Sequence, residues 1–226
     1  MEQVRGYPVR VERVTVGERE YELLVPADSD ALLDHPQVRA RFAQDEYMPY
    51  WAMLWPAALF LADAVAEWGP VPPGAELPHV LELGCGLGLV GLVAAHRGYR
   101  VTLSDYDEDA LALAEANARR NGLPAPETRI IDWRRTYDDL CPDRILAADV
   151  LYEARNLEPV AQFVARHLNP GGFALIADAN RSTADPFERI ARRCGLSVTV
   201  SCVERRDAPA GGPAQGRIFT CRAARA

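Results

Sequence analysis

The sequence of 226 residues predicts an α/β protein with a doubly wound, mainly parallel sheet of seven strands. Two observations predict this class. From His79 onward, short apolar runs typical of strands alternate with longer runs that have helical spacing, and a glycine-rich turn joins the first strand to its helix. Strand–helix alternation of this kind builds a parallel sheet that is covered by helices on both faces.

The expected strands of the sheet are short apolar runs bounded by glycine, proline or charged residues. They are 79–84, 100–105, 128–132, 144–150, 173–178, 196–203 and 217–222. Helices are expected between them at 89–97, 108–121, 157–168 and 186–194. Because no helix separates the last two strands, we expect them to form an antiparallel hairpin at the edge of the sheet.

Residues 1–70 are predicted to form an N-terminal extension that packs on a core domain formed by residues 71–226. Apolar residues alternate between Val9 and Val25, which predicts a β-hairpin that turns near Gly17. Apolar residues then recur at rough helical spacing over 27–47, and Pro56 suits the first turn of a helix over 57–68. The proline- and glycine-rich segment 70–78 separates the extension from the core.

Composition and charge exclude several classes of function. The net charge of −7 disfavours tight binding of nucleic acid, since phosphate contacts need a basic face. The longest apolar run, Trp51 to Val65, is interrupted by Pro56 and Asp63, so no membrane span is predicted. Five scattered cysteines without CxxC spacing predict no disulfide framework and no metal site, and the absence of a secretory signal adds the expectation of a cytoplasmic protein.

The strongest chemical signal is the loop after the first core strand. Its glycines allow a sharp turn and a close approach of the backbone to a ligand, and their GxGxG spacing lacks the GK[ST] of a phosphate-binding P-loop. Asp105 ends the second strand about twenty residues later, where nucleotide-binding α/β folds place an acid that accepts from ribose hydroxyls. The alternative is a tight turn followed by a helix-capping aspartate. The loop consists of Glu82, Leu83, Gly84, Cys85, Gly86, Leu87 and Gly88.

These motifs resemble the class I, seven-β-strand methyltransferases, whose fold is Rossmann-like. A closer resemblance is to the protein-lysine methyltransferases of the DxxY type, family 16, which carry that motif after strand four. In this chain the motif runs from Asp149 to Tyr152 in the context ILAADVLYE.

Three further features match the DxxY branch. They are an LW-P/D-x-A segment at Leu54 to Ala58, a tryptophan after strand three at Trp133, and the pair Asn117 and Asn121 near the end of a helix. The resemblance covers roughly residues 49–178.

The resemblance implies that S-adenosylmethionine is the cofactor. Gly84, Gly86 and Gly88 would line its methionine and ribose part, and Asp105 would hold the ribose hydroxyls. Tyr106 could stack near the adenine, Asp132 could accept from the adenine amine, and Trp133 could cover a face of the ring. The expected cofactor-binding residues are therefore Trp55, Glu82, Gly84, Cys85, Gly86, Gly88, Asp105, Tyr106, Asp132, Trp133 and Ala148.

Asp149 and Tyr152 are the candidate catalytic residues that the resemblance implies. Asp149 could orient an acceptor amine or take its proton, and it equally suits holding the ammonium group of the cofactor. Tyr152 could contact the substrate or shape the loop beside Asp149. The aromatic residues Tyr47, Tyr50 and Trp51 could form a substrate lip, although burial in the core explains them as well.

The activity implied by the resemblance is transfer of a methyl group to a lysine side chain of a protein substrate. Three alternatives stay open because fold does not fix function. The acceptor could be a small amine or heterocycle, or the chain could bind the cofactor without catalysis as a partner of another protein. Methylation of RNA or DNA is disfavoured by the acidic charge and by the absence of an Asn-Pro-Pro-Tyr or Asp-Pro-Pro-Tyr segment after strand four.

Overall fold

The computed structural model describes residues 2–28, 32–33, 38–39, 42–43, 48–206 and 212–223. The strands of this part of the chain are β1 (Gln3–Val4), β2 (Tyr7–Val16), β3 (Arg19–Pro26), β4 (His79–Leu83), β5 (Arg100–Asp105), β6 (Glu127–Ile130), β7 (Arg144–Ala148), β8 (Phe173–Asp178), β9 (Leu196–Arg205) and β10 (Ala214–Ala223). The α-helices are α1 (Pro56–Ala66), α2 (Leu89–His96), α3 (Glu108–Arg120), α4 (Ala154–His167) and α5 (Phe187–Arg193).

The central sheet has seven strands in the order β6-β5-β4-β7-β8-β10-β9. The first five of these are parallel neighbours, whereas β10 pairs antiparallel with both β8 and β9. The prediction of a mainly parallel α/β sheet with an antiparallel C-terminal hairpin is therefore confirmed. Within the hairpin the last strand in sequence is internal, and β9 forms the edge of the sheet.

Helices cover both faces of the sheet because alternate strand residues face opposite sides. Val80, Leu103 and Leu146 pack in one core with α1, α2 and α3. Leu81 and Ile145 pack in a second core with α4 and α5. Both faces are thus apolar, as expected for a parallel sheet that is buried on its two sides.

Several boundaries differ from the sequence prediction. β7 ends at Ala148 rather than at residue 150, because Asp149 adopts a φ of 56°, which turns the chain out of the strand. α4 begins at Ala154, three residues earlier than expected, and accommodates Pro159. β10 begins at Ala214, because pairing with β9 extends the strand through residues that carry little apolar signal.

The N-terminal hairpin is present as β2 and β3, and β1 joins it in a separate three-stranded sheet. This sheet packs on α3 through the side chains of Asn117 and Asn121, which bond to the backbone of β3 at Leu24 and Glu22. The helix expected over 27–47 lies largely outside the described residues, of which 32–33, 38–39 and 42–43 are helical.

In the described part of the chain, no helix has the length and apolar character needed to cross a membrane. Across the same residues, no group of three His, Cys, Asp or Glu side chains is arranged to hold a metal ion.

Candidate functional site

A cavity of about 420 Å³ opens at the carboxyl ends of β4, β5 and β7. β4 lies between β5 and β7, so the cavity is at the point where the strand order reverses, which is the usual ligand position in open α/β sheets. Its lining residues include the following predicted site residues: Trp55, Glu82, Gly84, Cys85, Gly86, Asp105, Tyr106, Trp133, Ala148, Asp149 and Tyr152.

The glycine loop is held against β5 by its backbone. Cys85 N donates to the Ser104 carbonyl at 2.8 Å, and Gly86 N donates to Asp105 Oδ2 at 2.9 Å. Gly84 and Gly86 have φ values of 69° and 50°, a region that side-chain-bearing residues rarely adopt. The Cys85 thiol is buried, and burial raises its pKa well above the usual value, so it stays protonated near neutral pH.

Gly88 has a different environment from the other two glycines. Gly88 does not line the cavity. It is the residue that immediately precedes α2, and its φ of 81° lies in the left-handed region. A Cβ at this position would lie 2.9 Å from the Cβ of Ala114, so the absence of a side chain allows α3 to approach the loop closely.

Asp105 is the acid at the end of β5, and its carboxylate organises the loops on both sides. Oδ2 accepts from Gly86 N at 2.9 Å, and Oδ1 accepts from Asp107 N at 3.1 Å. Burial raises the pKa of Asp105 to about 6, so the side chain is mainly ionised at neutral pH. It can accept hydrogen bonds from ligand hydroxyls with its remaining lone pairs.

Glu82 lies beneath the loop and is 3% exposed. Its Oε2 accepts from Gly91 N at 2.7 Å, which satisfies an amide in the first turn of α2. Burial raises the pKa of Glu82 to about 8. Sequence reasoning missed Gly91: a Cβ there would lie 2.2 Å from Leu103 Cδ2 and 2.7 Å from Glu82 Oε2, so only glycine leaves room for this arrangement.

Of the three residues predicted to contact the adenine, two line the cavity and one does not. Tyr106 lines the cavity and is 46% exposed, and Trp133 lines it close to Gly84. Asp132 is not a lining residue; its carboxylate accepts from Arg134 Nε at 2.7 Å. Burial raises the pKa of Asp132, but its hydrogen bonds with Arg134 outweigh burial and lower it overall.

The other end of the cavity is formed around Asp149, which is 8% exposed. Its Oδ2 accepts from Ala57 N at 3.0 Å and so caps the first turn of α1, while Oδ1 pairs with the guanidinium of Arg181. Arg181 also lies beneath the Trp55 ring, with 5.7 Å between Cζ and the ring centroid. Both carboxylate oxygens of Asp149 are therefore engaged.

Aromatic side chains form the rim at this end, which is called the aromatic rim below and consists of Tyr50, Trp55 and Tyr152. The Tyr50 ring contacts Trp55 and Tyr152 edge to face, with centroids 6.0 Å and 5.0 Å away, and Trp55 Nε1 donates to the Tyr50 carbonyl at 2.6 Å. Tyr50 and Trp51 both line the cavity; Tyr50 is 40% exposed and Trp51 is buried. Tyr47 lies outside the described residues. Burial raises the pKa of Tyr152, so its hydroxyl remains a neutral donor.

Sequence reasoning missed Arg181, Met48 and Met53, all of which line the cavity. A charged residue shortly after β8, at the carboxyl edge where β4, β5 and β7 also end, is the signal that could have identified Arg181. The two methionines lie outside the resembling motifs and carry no such signal.

The residues present fit a nucleoside-type cofactor that bears hydroxyls and an aromatic base. The cavity volume lies in the range of small-ligand sites. Gly84 and Gly86 leave the backbone open to close approach, Asp105 offers acceptors, and Tyr106 and Trp133 offer ring faces beside them.

The profile of the family described as "Lysine methyltransferase" matches residues 36–190, which is more than half of the chain. The chain is 32% identical over 133 residues to histone-arginine methyltransferase METTL23 of Rattus norvegicus, covering 56% of this chain and 58% of the relative. It is 35% identical over 143 residues to protein N-lysine methyltransferase METTL21A of Danio rerio, covering 59% and 62%. The alignments thus span little more than half the length of these relatives.

Solved structures share the fold at low sequence identity. Precorrin-6y C5,15-methyltransferase from Geobacter metallireducens GS-15 superposes with a TM-score of 0.55 at 17% identity, covering 74% of this chain and 87% of that one. Ribosomal protein L11 methylase from Lactobacillus delbrueckii subsp. bulgaricus gives 0.54 at 18% identity, covering 72% and 77%. With the family match, these findings show that the chain belongs to the lysine methyltransferase family, and S-adenosylmethionine is the cofactor that this membership implies.

Proposed function

We propose that this protein is an S-adenosylmethionine-dependent methyltransferase that methylates lysine side chains of a protein substrate. The observation that carries the proposal is the shared cavity. It joins a cofactor half, formed by Gly84, Gly86 and Asp105, to an acceptor half at the aromatic rim and Asp149. The family match and the two protein-methylating relatives support the same activity.

In the cofactor half, Gly84 and Gly86 would let the backbone approach the ligand, and Asp105 would accept from its ribose hydroxyls. Tyr106 and Trp133 would contact the base. Two other predicted residues have different surroundings: Asp132 is paired with Arg134, and Gly88 packs against Ala114. We therefore propose that these two residues shape the site without contacting the cofactor.

When bound, the cofactor would supply a methyl group on positively charged sulfur for transfer to the acceptor amine. A lysine acceptor must react as the neutral amine, and deprotonating it at pH 7 costs about 4.6 kcal/mol from its ordinary pKa. Desolvation between the rings of the aromatic rim lowers that cost, because burial disfavours the charged form of an amine. The released proton passes to solvent at the open mouth of the cavity.

We propose that Asp149 acts by position and charge rather than as a general base. Protonation of this carboxylate would weaken its contacts with the Ala57 amide and with Arg181, both of which depend on its negative charge. Tyr152 would guide the acceptor side chain through its contact with Tyr50 at the rim.

The test is methyl transfer from tritiated cofactor to proteins of a cell lysate, followed by protease or nuclease treatment. The proposal predicts label in protein bands that protease removes and nuclease does not, with methyllysine in the acid hydrolysate. With the cofactor below saturation, Asp105→Asn should strongly reduce the label. Label confined to the low-mass fraction would instead establish a small-molecule acceptor, and nuclease-sensitive label would establish a nucleic acid.

A further inference from the structure

Arg181 brings a fixed positive charge into the acceptor half of the cavity. Its side chain is 28% exposed, it pairs with Asp149, and its guanidinium lies under the Trp55 ring. Its backbone is fixed as well: Arg181 N donates to Asp178 Oδ1 at 2.8 Å, and its carbonyl accepts from Arg217 Nη2 at 2.7 Å. Arg181 is therefore a fixed cation beside the site proposed for a positively charged cofactor.

The carboxylates that line the cavity already have partners among the described residues. Each accepts from a backbone amide, an arginine, or both. The pairs are Glu82 with the Gly91 amide, Asp105 with the Gly86 and Asp107 amides, Asp107 with the Asp109 amide, Asp149 with the Ala57 amide and Arg181, and Glu153 with Arg155.

This pairing disfavours an arginine acceptor. A guanidinium keeps its charge at any physiological pH, and its best protein partner is a carboxylate that can accept two parallel hydrogen bonds. Asp149 and Glu153 are the carboxylates at the acceptor end, and each is already paired with an arginine of this chain, Arg181 and Arg155 respectively. An incoming guanidinium would have to displace an intramolecular one.

The same arrangement favours an amine. A lysine can lose its proton, and the pairing with Arg181 offsets the negative charge of Asp149, which would otherwise favour the protonated amine. The neutral amine is also the form that reacts.

We propose, building on the function proposed above, that Arg181 makes this site selective for acceptors that react as neutral amines, and thus for lysine over arginine. Arg181 acts as a specificity-determining residue in two ways. It occupies Asp149, and it offsets the negative charge of this carboxylate beside the acceptor.

The charges around Arg181 keep this arrangement in place across the neutral range. Asp178 Oδ2, at the end of β8, lies 3.6 Å from Arg181 Nη1, and Arg217 on β10 lies 3.4 Å from Asp178 and 2.8 Å from Asp185. Burial lowers the pKa of Arg181, but an arginine starts so high that it stays charged. Because the pKa values of Asp105, about 6, and Glu82, about 8, also lie near neutrality, it is the change in pH midpoint between wild type and an Arg181 variant that reports on the acceptor.

Binding of small cations tests the occupation of Asp149 without any activity. Butylguanidinium and butylammonium chloride would be titrated into protein saturated with S-adenosylhomocysteine. Arg181→Met should bind butylguanidinium at least about tenfold more tightly than wild type, because Asp149 gains a free carboxylate oxygen. Arg181→Lys, and Arg13→Met as a matched change of an exposed arginine that pairs with Glu22 outside the cavity, should behave like wild type. Equal affinity in Arg181→Met and wild type would overturn the proposal.

Product analysis tests selectivity and needs no variant. Hydrolysed lysate proteins labelled by wild type should contain methyllysine without methylarginine, and methylarginine as the main product would overturn the proposal.

In Arg181→Met the pH midpoint of labelling should rise by about one unit, and Arg181→Lys should restore it. An unshifted midpoint in a variant that still binds S-adenosylhomocysteine contradicts the proposal. Failure of wild type to bind S-adenosylhomocysteine would instead overturn the proposed function itself.

Discussion

The side-chain amide of Asn117 pairs with the backbone of Leu24: Oδ1 accepts from Leu24 N at 2.6 Å, and Nδ2 donates to Leu24 O at 3.3 Å. The same Nδ2 also donates to the carbonyl of Leu87 in the glycine loop at 3.0 Å. One fully buried side chain on α3 therefore joins the N-terminal sheet to the loop that lines the cavity.

Replacing Asn117 with Ala should lower the free energy of unfolding by about 2–4 kcal/mol, because buried backbone groups at Leu24 and Leu87 lose their partners. Urea denaturation measures the change. Asn121→Ala, which removes half-buried bonds to Glu22 on the same helix, is the matched control and should cost less. Equal losses in the two variants would show that the Leu87 contact contributes nothing.

Gly91→Ala should destabilise the fold more than Gly86→Ala. A Cβ at position 91 would collide with Leu103 and Glu82, whereas one at position 86 would come no closer than 3.6 Å to Trp51. We expect a loss of about 2–4 kcal/mol for Gly91→Ala from overpacking and the broken Glu82 bond. For Gly86→Ala we expect about 1–2 kcal/mol, from backbone strain at its φ of 50°. Thermal denaturation ranks the two, and the reverse order would contradict this account of the loop.

Glu82 should make the protein less stable as pH rises. Its pKa is about 8 in the folded protein and ordinary, 4.5, when unfolded, so the folded state binds the extra proton between these values. Stability from this group is fully present below pH 4.5 and is lost as pH rises through about 8. Glu82→Gln should remove that fall between pH 6 and 8 while keeping an acceptor for Gly91 N. Denaturant titrations at pH 6, 7 and 8 measure the free energy of unfolding of wild type and of Glu82→Gln. The same pH dependence in the two proteins would contradict the assignment.

Much of the core could be predicted from the sequence, because the spacing of apolar residues indicates which face of each helix or strand is buried. The helix over Glu108–Arg120 and the strand over Arg100–Asp105 follow from spacing and flanking glycine. The separate N-terminal sheet could not be predicted, since a hairpin pattern does not say which surface it will cover.

The residues of the candidate site could likewise be predicted only in part. Gly86 and Asp105 are found from sequence because the loop and the strand end each have local signatures. Arg181 and Gly91 depend on contacts across the sheet, with Asp149 and with Glu82, that no local pattern records. Gly88 lies in the expected loop, whereas Asp132 lies beyond β6, which ends at Ile130. Neither lines the cavity, since packing on Ala114 and local pairing with Arg134 determine their surroundings.

Binding of S-adenosylhomocysteine by calorimetry tests the central claim most directly, namely that the cavity at Gly86 and Asp105 holds the cofactor. Wild type should bind with micromolar affinity, and Asp105→Ala should weaken binding by about 1.5–3 kcal/mol through loss of a charged hydrogen-bond partner. Asp139→Ala, at an exposed aspartate paired with Arg129, is the control and should bind as wild type does. No binding by wild type, or equal binding by wild type and Asp105→Ala, would contradict the account.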